Sequence, residues 1–338
     1  MTRVRDIGVG VVGVGLMGRR HAENVTRVGG AKLLAIHDAN ASLAERVARE
    51  LGAKSCASVD ALLSYSGVDA VVIASPAPAH EAHAVAALAA GKDVLLEKPI
   101  ALTLEDADAI VAAAEKSDRF FMVGLVLRFW PEYVELRRRI AGGELGRPLA
   151  VSTFRLSPPA DWNQWMADPA QSGGVPVDLL VHDFDQMNWL LGTPRKVYAR
   201  APHPGHVVAT VDYDGAQGIG EGSMAMPKSY PFSSNVRVLC ERGVAEYGFS
   251  AAPAEDGGNI GPSDAPRGLR LYPADGDPVT VPVESTDPWG PEIAYFVECV
   301  EQGRAPEQGT GAQARLALAV SLAAAASLES GRPEDVSA

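Results

Sequence analysis

The chain has 338 residues, 47% of them hydrophobic and 21% charged, and a net charge of −12 at neutral pH. That length suggests about two domains, and the composition is that of a globular protein able to bury a sizeable core. The acidic balance, with Arg137-Arg138-Arg139 the only basic run that stands out, argues against a nucleic-acid partner.

The first residues, MTRVRDIGVGVVGVG, join basic side chains to an apolar stretch, yet their glycines fit a buried first strand better than a signal peptide. From Ile7 to about Gly124, strand and helix patterns alternate. Strands are expected at Ile7–Val12, Lys32–His37, Val68–Ala74, Asp93–Leu96 and Phe120–Leu125. Helices are expected at Gly18–Val28, Ser42–Leu51, His80–Ala90 and Leu104–Ser117. VDAVVIA is a continuous β-branched run, as in a strand covered on both faces. Repeated strand–helix units of this length predict a parallel, doubly wound sheet, so the fold class is α/β.

After about Arg128 the pattern changes. A helix over Pro131–Ala141 and a strand over Leu149–Phe154 precede a loop rich in Pro and Trp at Ser157–Gln171. Ser172–Gly192, SGGVPVDLLVHDFDQMNWLLG, is expected to be one largely buried helix. Short strands are predicted at Val197–Ala201, Val207–Tyr213, Gln217–Met226, Asn235–Glu241 and Val244–Phe249, mostly antiparallel because their connections are short. A Pro/Gly/Asp-rich loop at Ala251–Gly268 leads to strands at Leu271–Tyr272 and Val279–Val283, then helices at Pro291–Gln302 and Gly311–Ser330. No segment reaches about 18 uninterrupted apolar residues, so no membrane span is expected. Cys56, Cys240 and Cys299 are widely spaced and form no CxxC pair, which fits a reducing compartment such as the cytoplasm.

Four motifs carry chemistry. Gly13-Val14-Gly15-Leu16-Met17-Gly18 is a G-x-G-x-x-G between a strand and a helix, the context in which such a loop holds a dinucleotide. Gly13 permits the turn, Gly15 lets backbone approach a pyrophosphate, and Gly18 lets helix and strand close up. Asp38, 20 residues after Gly18, can accept hydrogen bonds from ribose hydroxyls and repels a 2′-phosphate, favouring NAD over NADP; simple helix capping is its alternative role. Ser75, Pro76 and His80 follow the third predicted strand, and Glu97, Lys98 and Pro99 the fourth. Strand ends of this kind border the cofactor crevice in a doubly wound sheet. A Lys there offers a fixed positive charge to a developing alkoxide. Last, Asp178 stands one helical turn before His182, with Asp185 three residues further on. An Asp so placed can hold one imidazole nitrogen and make the other a better base.

The order GVGLMG, Asp38, EKP and VPVDLLVHDFDQMNWLLG resembles the Gfo/Idh/MocA oxidoreductases over essentially the whole chain. The HDFDQMNWLLG run and the pair Arg128-Phe129 are most similar to the inositol 2-dehydrogenase branch. The resemblance implies an NAD-binding Rossmann domain over residues 1–126. It implies a second α/β domain over residues 127–338 on a large, mostly antiparallel open sheet, with a C-terminal helix that could return to the first domain. It also implies assembly into a homodimer or homotetramer through that sheet, and a catalytic group of Lys98, Asp178 and His182.

On this reading a secondary alcohol on a sugar or cyclitol is interconverted with its ketone by hydride transfer. The substrate could be inositol-like or a sugar or aminoglycoside-type intermediate. His182 takes the hydroxyl proton, Lys98 steadies the oxygen, and Asp178 orients His182 or binds a neighbouring hydroxyl. Arg128, Trp162, Asn163 and Trp165 are expected on the substrate side, with apolar packing the alternative for both tryptophans. Two other readings from the same family pattern are an NADP-dependent sugar ketoreductase and an NAD- and sugar-binding protein without catalysis. A divalent ion on Asp178, His182 and Asp185 is disfavoured, because Lys98 would compete with it, so no resident metal is expected.

Overall fold

The computed structural model describes residues 6–159, 168–251, 268–284 and 287–337. The chain divides into two compact units, Met1–Phe129 with Asp287–Arg315, and Trp130–Thr286 with Leu316–Ala338.

The first unit opens with β1 (Ile7–Val12), α1 (Leu16–Arg27), β2 (Ala31–His37), α2 (Ala41–Leu51), β3 (Lys54–Ser55) and α3 (Val59–Leu63). It continues with β4 (Ala70–Ile73), α4 (His80–Ala89), β5 (Asp93–Glu97), α5 (Leu104–Lys116) and β6 (Phe121–Gly124). The six strands lie in the order β3-β2-β1-β4-β5-β6, all parallel. Every residue of β1, β4, β5 and β6 is buried, which is why β1, β4 and β6 read as unbroken apolar runs and β5 as an apolar centre between Asp93 and Glu97, rather than alternating ones. The order reverses between β1 and β4, so the loops after those two strands flank the switch point where such sheets bind ligands.

The second unit carries α6 (Pro131–Ala141), β7 (Pro148–Leu156), α7 (Pro169–Ser172), a π-helical turn at Val175–Leu179, and α8 (Val181–Leu191). Strands follow: β8 (Pro194–His203), β9 (His206–Tyr213), β10 (Ala216–Ser223), β11 (Phe232–Cys240), β12 (Gly243–Ala251), β13 (Leu269–Pro273) and β14 (Val279–Val281). After them come α9 (Trp289–Gln302), which belongs to the first unit, α10 (Gly311–Ser330) and β15 (Glu334–Asp335). The sheet runs β14-β13-β12-β11-β7-β10-β9-β8-β15. Among the described residues, β7 and β10 are the one parallel pair in this sheet. α9 brings Ile293, Phe296 and Val297 into the same apolar core as β1 and α1. α10 is long and apolar enough to cross a membrane, at mean hydropathy 1.3, but 56% of that stretch is buried within the protein. Its Ser327 accepts the Ala199 N–H of β8 at 3.0 Å.

The expected single helix over Ser172–Gly192 is in fact α7, a π turn and α8. The cause is local. Gly173 and Gly174 both take left-handed φ, +76° and +66°, which ends α7. Pro176 then removes a donor, and the Leu180 N–H reaches back five residues to Val175 O at 2.9 Å. β3, α3 and β15 were not foreseen; at two to five residues they carry too little pattern.

α8 lies close on the sheet because β10 is glycine at every second position. A Cβ on Gly218 would stand 2.6 Å from Met187 Sδ, and one on Gly222 2.7 Å from Leu180 Cγ. Period-two glycines therefore clear one face of the strand for the helix that carries His182.

Candidate functional site

In the first unit the glycine loop has the geometry its motif demands. Gly13 takes φ +81°, and a Cβ on Gly18 would sit 1.8 Å from Gly13 O, so only glycine lets α1 close on the loop. At Gly15 a Cβ would meet nothing within 4 Å, and no side chain caps the start of α1. Leu16 and Met17, both half-buried, thus open a helix whose first N–H groups receive no side-chain cap. Asp38 is fixed beside this loop: Oδ2 accepts the Val14 N–H and Oδ1 the Asn40 N–H, both at 2.8 Å. Each oxygen keeps a lone pair for a further donor. Free helix N–H groups for phosphates and a carboxylate for ribose hydroxyls make a chemical fit to a dinucleotide.

The loops after β4 and β5 meet through His80. Its Nε2 lies 2.8 Å from Ser75 O and its Nδ1 2.8 Å from Pro99 O, and the ring is buried. Burial pulls its pKa down, so the neutral ring has one proton for which the two carbonyls compete. His80 is thus a tie between loops. Ser75 Oγ is 3.0 Å from His83 Nδ1, and Pro76 is exposed. Lys98, half-buried, precedes Pro99 through a cis peptide. Its N–H donates to Glu97 Oε2 at 3.0 Å, and the Glu97 side chain is buried against His21. Arg128 is also buried here, its Nη1 donating to Gln308 Oε1 at 3.1 Å.

In the second unit Asp178 is buried in the π turn, Asp185 is buried on α8, and His182 is half-buried on the first turn of α8. Trp162, Asn163 and Trp165 lie outside the described residues.

Sequence reasoning passed over three features. One is the ion pair from Arg155 Nε on β7 to Asp183 Oδ2 on α8, 2.7 Å long with side chains 5% and 1% exposed. Burial, the largest single influence, opposes the charge of Arg155, but Asp183 and Tyr133 together outweigh it and raise the guanidinium pKa. Asp183 sits between two candidate acids, so a signal for a second role was present. The others are the alternating glycines of β10, legible as G-x-G-x-G, and a buried cluster around Glu97 that joins residues distant in sequence.

A glycine loop at a switch point, a helix start without a side-chain cap and a carboxylate held beside the loop are the features of a dinucleotide-binding unit of the oxidoreductase class. Residues 7–125 match the model "Oxidoreductase family, NAD-binding Rossmann fold", and residues 133–246 match the Gfo/Idh/MocA C-terminal domain. The chain belongs to the Gfo/Idh/MocA oxidoreductase family, and its first unit is an NAD-binding Rossmann fold. It is 33% identical over 289 residues to inositol 2-dehydrogenase 4 of Saccharopolyspora erythraea, covering 78% of this chain and 81% of that one. It is 36% identical over 187 residues to the scyllo-inositol 2-dehydrogenase (NAD(+)) of Bacillus subtilis, a match to 54% of this chain and about half, 53%, of that relative. Among solved structures, UDP-N-acetylglucosamine 3-dehydrogenase from Acidithiobacillus ferrooxidans superposes with a TM-score of 0.80 at 28% identity, over 97% of this chain and 99% of that one.

Proposed function

We propose that the protein oxidises a secondary alcohol on a cyclitol or sugar to the ketone, using NAD. What supports this is the match to an NAD-binding oxidoreductase family, together with a dinucleotide-fitted loop and a strand-end Lys98 in the first unit and an Asp178–His182 segment in the second. The cofactor supplies hydride acceptance; the side chains supply position and charge. His182, half-buried, is reachable enough to take the hydroxyl proton as the C–H bond breaks. Lys98 is held through its own N–H and offers its ammonium to the oxygen that gains negative charge. Asp178 serves as partner to the imidazole or to a neighbouring hydroxyl. The inositol dehydrogenases and the nucleotide-sugar dehydrogenase among the relatives support a polyhydroxylated ring as substrate.

The test is NADH formation with a panel of myo-inositol, scyllo-inositol, free hexoses and UDP-N-acetylglucosamine. The expected result is turnover with at least one of them and a preference for NAD over NADP that shrinks at least tenfold, by order of magnitude, in Asp38→Gly. Silence with every member, while NADH still binds, favours the reading of a non-catalytic NAD- and sugar-binding protein.

We also propose that copies associate through the face of the nine-stranded sheet opposite α8. Gly218 and Gly220 of β10 face α8, so Ile219 points the other way, and it is 40% exposed. Leu239 and Val208, 46% and 37% exposed on β11 and β9, add to the apolar surface of this sheet. Sedimentation should give a dimer or tetramer, and Ile219→Lys should shift it toward monomer. A wild-type monomer at micromolar concentration would remove the proposal. Buried free thiols at Cys56, Cys240 and Cys299 are consistent with a cytoplasmic protein.

A further inference from the structure

One buried group in the first unit has no part in the steps above. His21 of α1, Glu97 at the end of β5 and Glu292 of α9 bring ligating atoms within 4.8 Å of one another. His21 and Glu292 are 0% exposed. His21 Nε2 lies 2.5 Å from Glu97 Oε1, while Glu97 Oε2 accepts the Lys98 N–H. Both oxygens of Glu292, and Nδ1 of His21, have no hydrogen-bond partner among the described residues. Gly124 pairs with Glu97 in register and lines the group: a Cβ there would stand at ordinary contact distance, 3.5 Å from Glu97 Cδ and 3.6 Å from Glu292 Oε1.

Two chemistries could occupy such a cluster. A divalent ion would take one His and two carboxylates, but donors sharing a metal at its usual bond lengths stand about 3 Å apart or more. The 2.5 Å contact between His21 and Glu97 is too close for two ligands of one ion and is a direct hydrogen bond, shorter than the roughly 2.7–2.9 Å usual for a charge-assisted N–H···O pair. An ionised carboxylate with both oxygens unpartnered in the interior is also costly, so Glu292 favours the neutral acid. Its pKa supports this: burial first, then the charges of Glu97 and Asp287, push it well above the ordinary carboxyl range. Glu97 goes the other way. Burial opposes its ionisation, but the His21 hydrogen bond and the charges of His21 and Lys98 outweigh burial and hold it low.

We propose that His21, Glu97 and Glu292 are a positioning group for Lys98: Glu97 fixes the Lys98 backbone, His21 locks the Glu97 carboxylate, and Glu292 closes the pocket as a proton-bearing neutral acid. The proposal rests on the reading of Lys98 as the residue that meets the reacting oxygen.

Four variants test it: Glu97→Gln, Glu292→Gln, Glu292→Ala and Lys98→Met. Each is assayed with NAD and whichever of myo-inositol and scyllo-inositol turns over faster. Glu97→Gln should bind NADH normally and keep KM within about threefold, yet lose roughly tenfold or more in kcat, with a larger isotope effect from a deuterated carbinol carbon. Glu292→Gln, which imitates the neutral acid, should retain kcat within about twofold, and Glu292→Ala should not. A second readout needs no turnover. Folded Glu292 holds a proton that the unfolded chain has released once pH exceeds the ordinary carboxyl range, so wild-type stability falls with rising pH through that window. The thermal midpoint of Glu292→Gln minus that of wild type should therefore widen as pH rises. A flat difference overturns the proposal, as does a stoichiometric divalent metal that Glu292→Gln loses. Wild-type kcat in folded Glu97→Gln, with Lys98→Met inactive, removes the positioning role alone. Full turnover in Lys98→Met removes the functional reading beneath it.

Discussion

Lys98→Met is expected to lower kcat with NAD and polyol by about two to three orders of magnitude while leaving NADH affinity nearly unchanged. The methionine keeps the length and apolar stem of lysine and removes only the ammonium. On the proposed role, what is lost is a charge that meets the oxygen as it becomes an alkoxide, and such a charge acts mainly on the transition state. The backbone of residue 98 should stay in place, because its hold is the N–H bond to Glu97 Oε2, which Met also offers. His182→Asn should cost a comparable factor, about 10²–10⁴, by removing the base. The two losses should not multiply in the double variant, since both act on one oxygen. Near-normal kcat in both single variants would refute the assignment. A rise in KM alone would make them binding residues.

The second large effect concerns stability. Asp183→Ala is expected to destabilise the second unit by about 3–5 kcal/mol, because it strands the Arg155 guanidinium in the interior. For a unit of this size that corresponds to a fall of roughly 6–20 °C in thermal midpoint. The loss is mostly the cost of an unpaired buried charge, so Arg155→Met combined with Asp183→Leu should recover much of it. Thermal unfolding of the three proteins checks this, and a single-variant shift below about 1 kcal/mol would show that the pair does not hold α8 on β7. His182 sits one residue before Asp183, so a displaced α8 should lower kcat as well. The double variant separates the effects by restoring stability first.

How much of this was legible beforehand depends on the range of the interaction. Most of the Rossmann unit was, because β1, β4, β5 and β6 are buried throughout and the longer helices repeat at their own period, so these elements announce themselves locally, whereas β3 and α3 are too short to do so. The glycine loop was legible because its steric demands fall within six residues. The break in the Asp178–His182 segment was also written locally, in Gly173, Gly174 and Pro176, but the long apolar pattern masked it. The Arg155–Asp183 pair spans 28 residues, and Arg155 reads as an ordinary outward charge on a strand until α8 covers it.

The sequence by itself determined the glycine loop, the carboxylate 20 residues beyond it, the alternation that makes the first sheet parallel, and the residue types of the candidate chemistry. Each is a matter of spacing along the chain, where steric and periodic rules act over a few residues. Tertiary structure alone decided that Glu97 turns inward to His21, that Glu292 arrives beside it on α9 from nearly 200 residues away, and that His80 ties two loops together. Burial and partner charge set the protonation of such groups, and both are properties of the packed interior that no local pattern encodes.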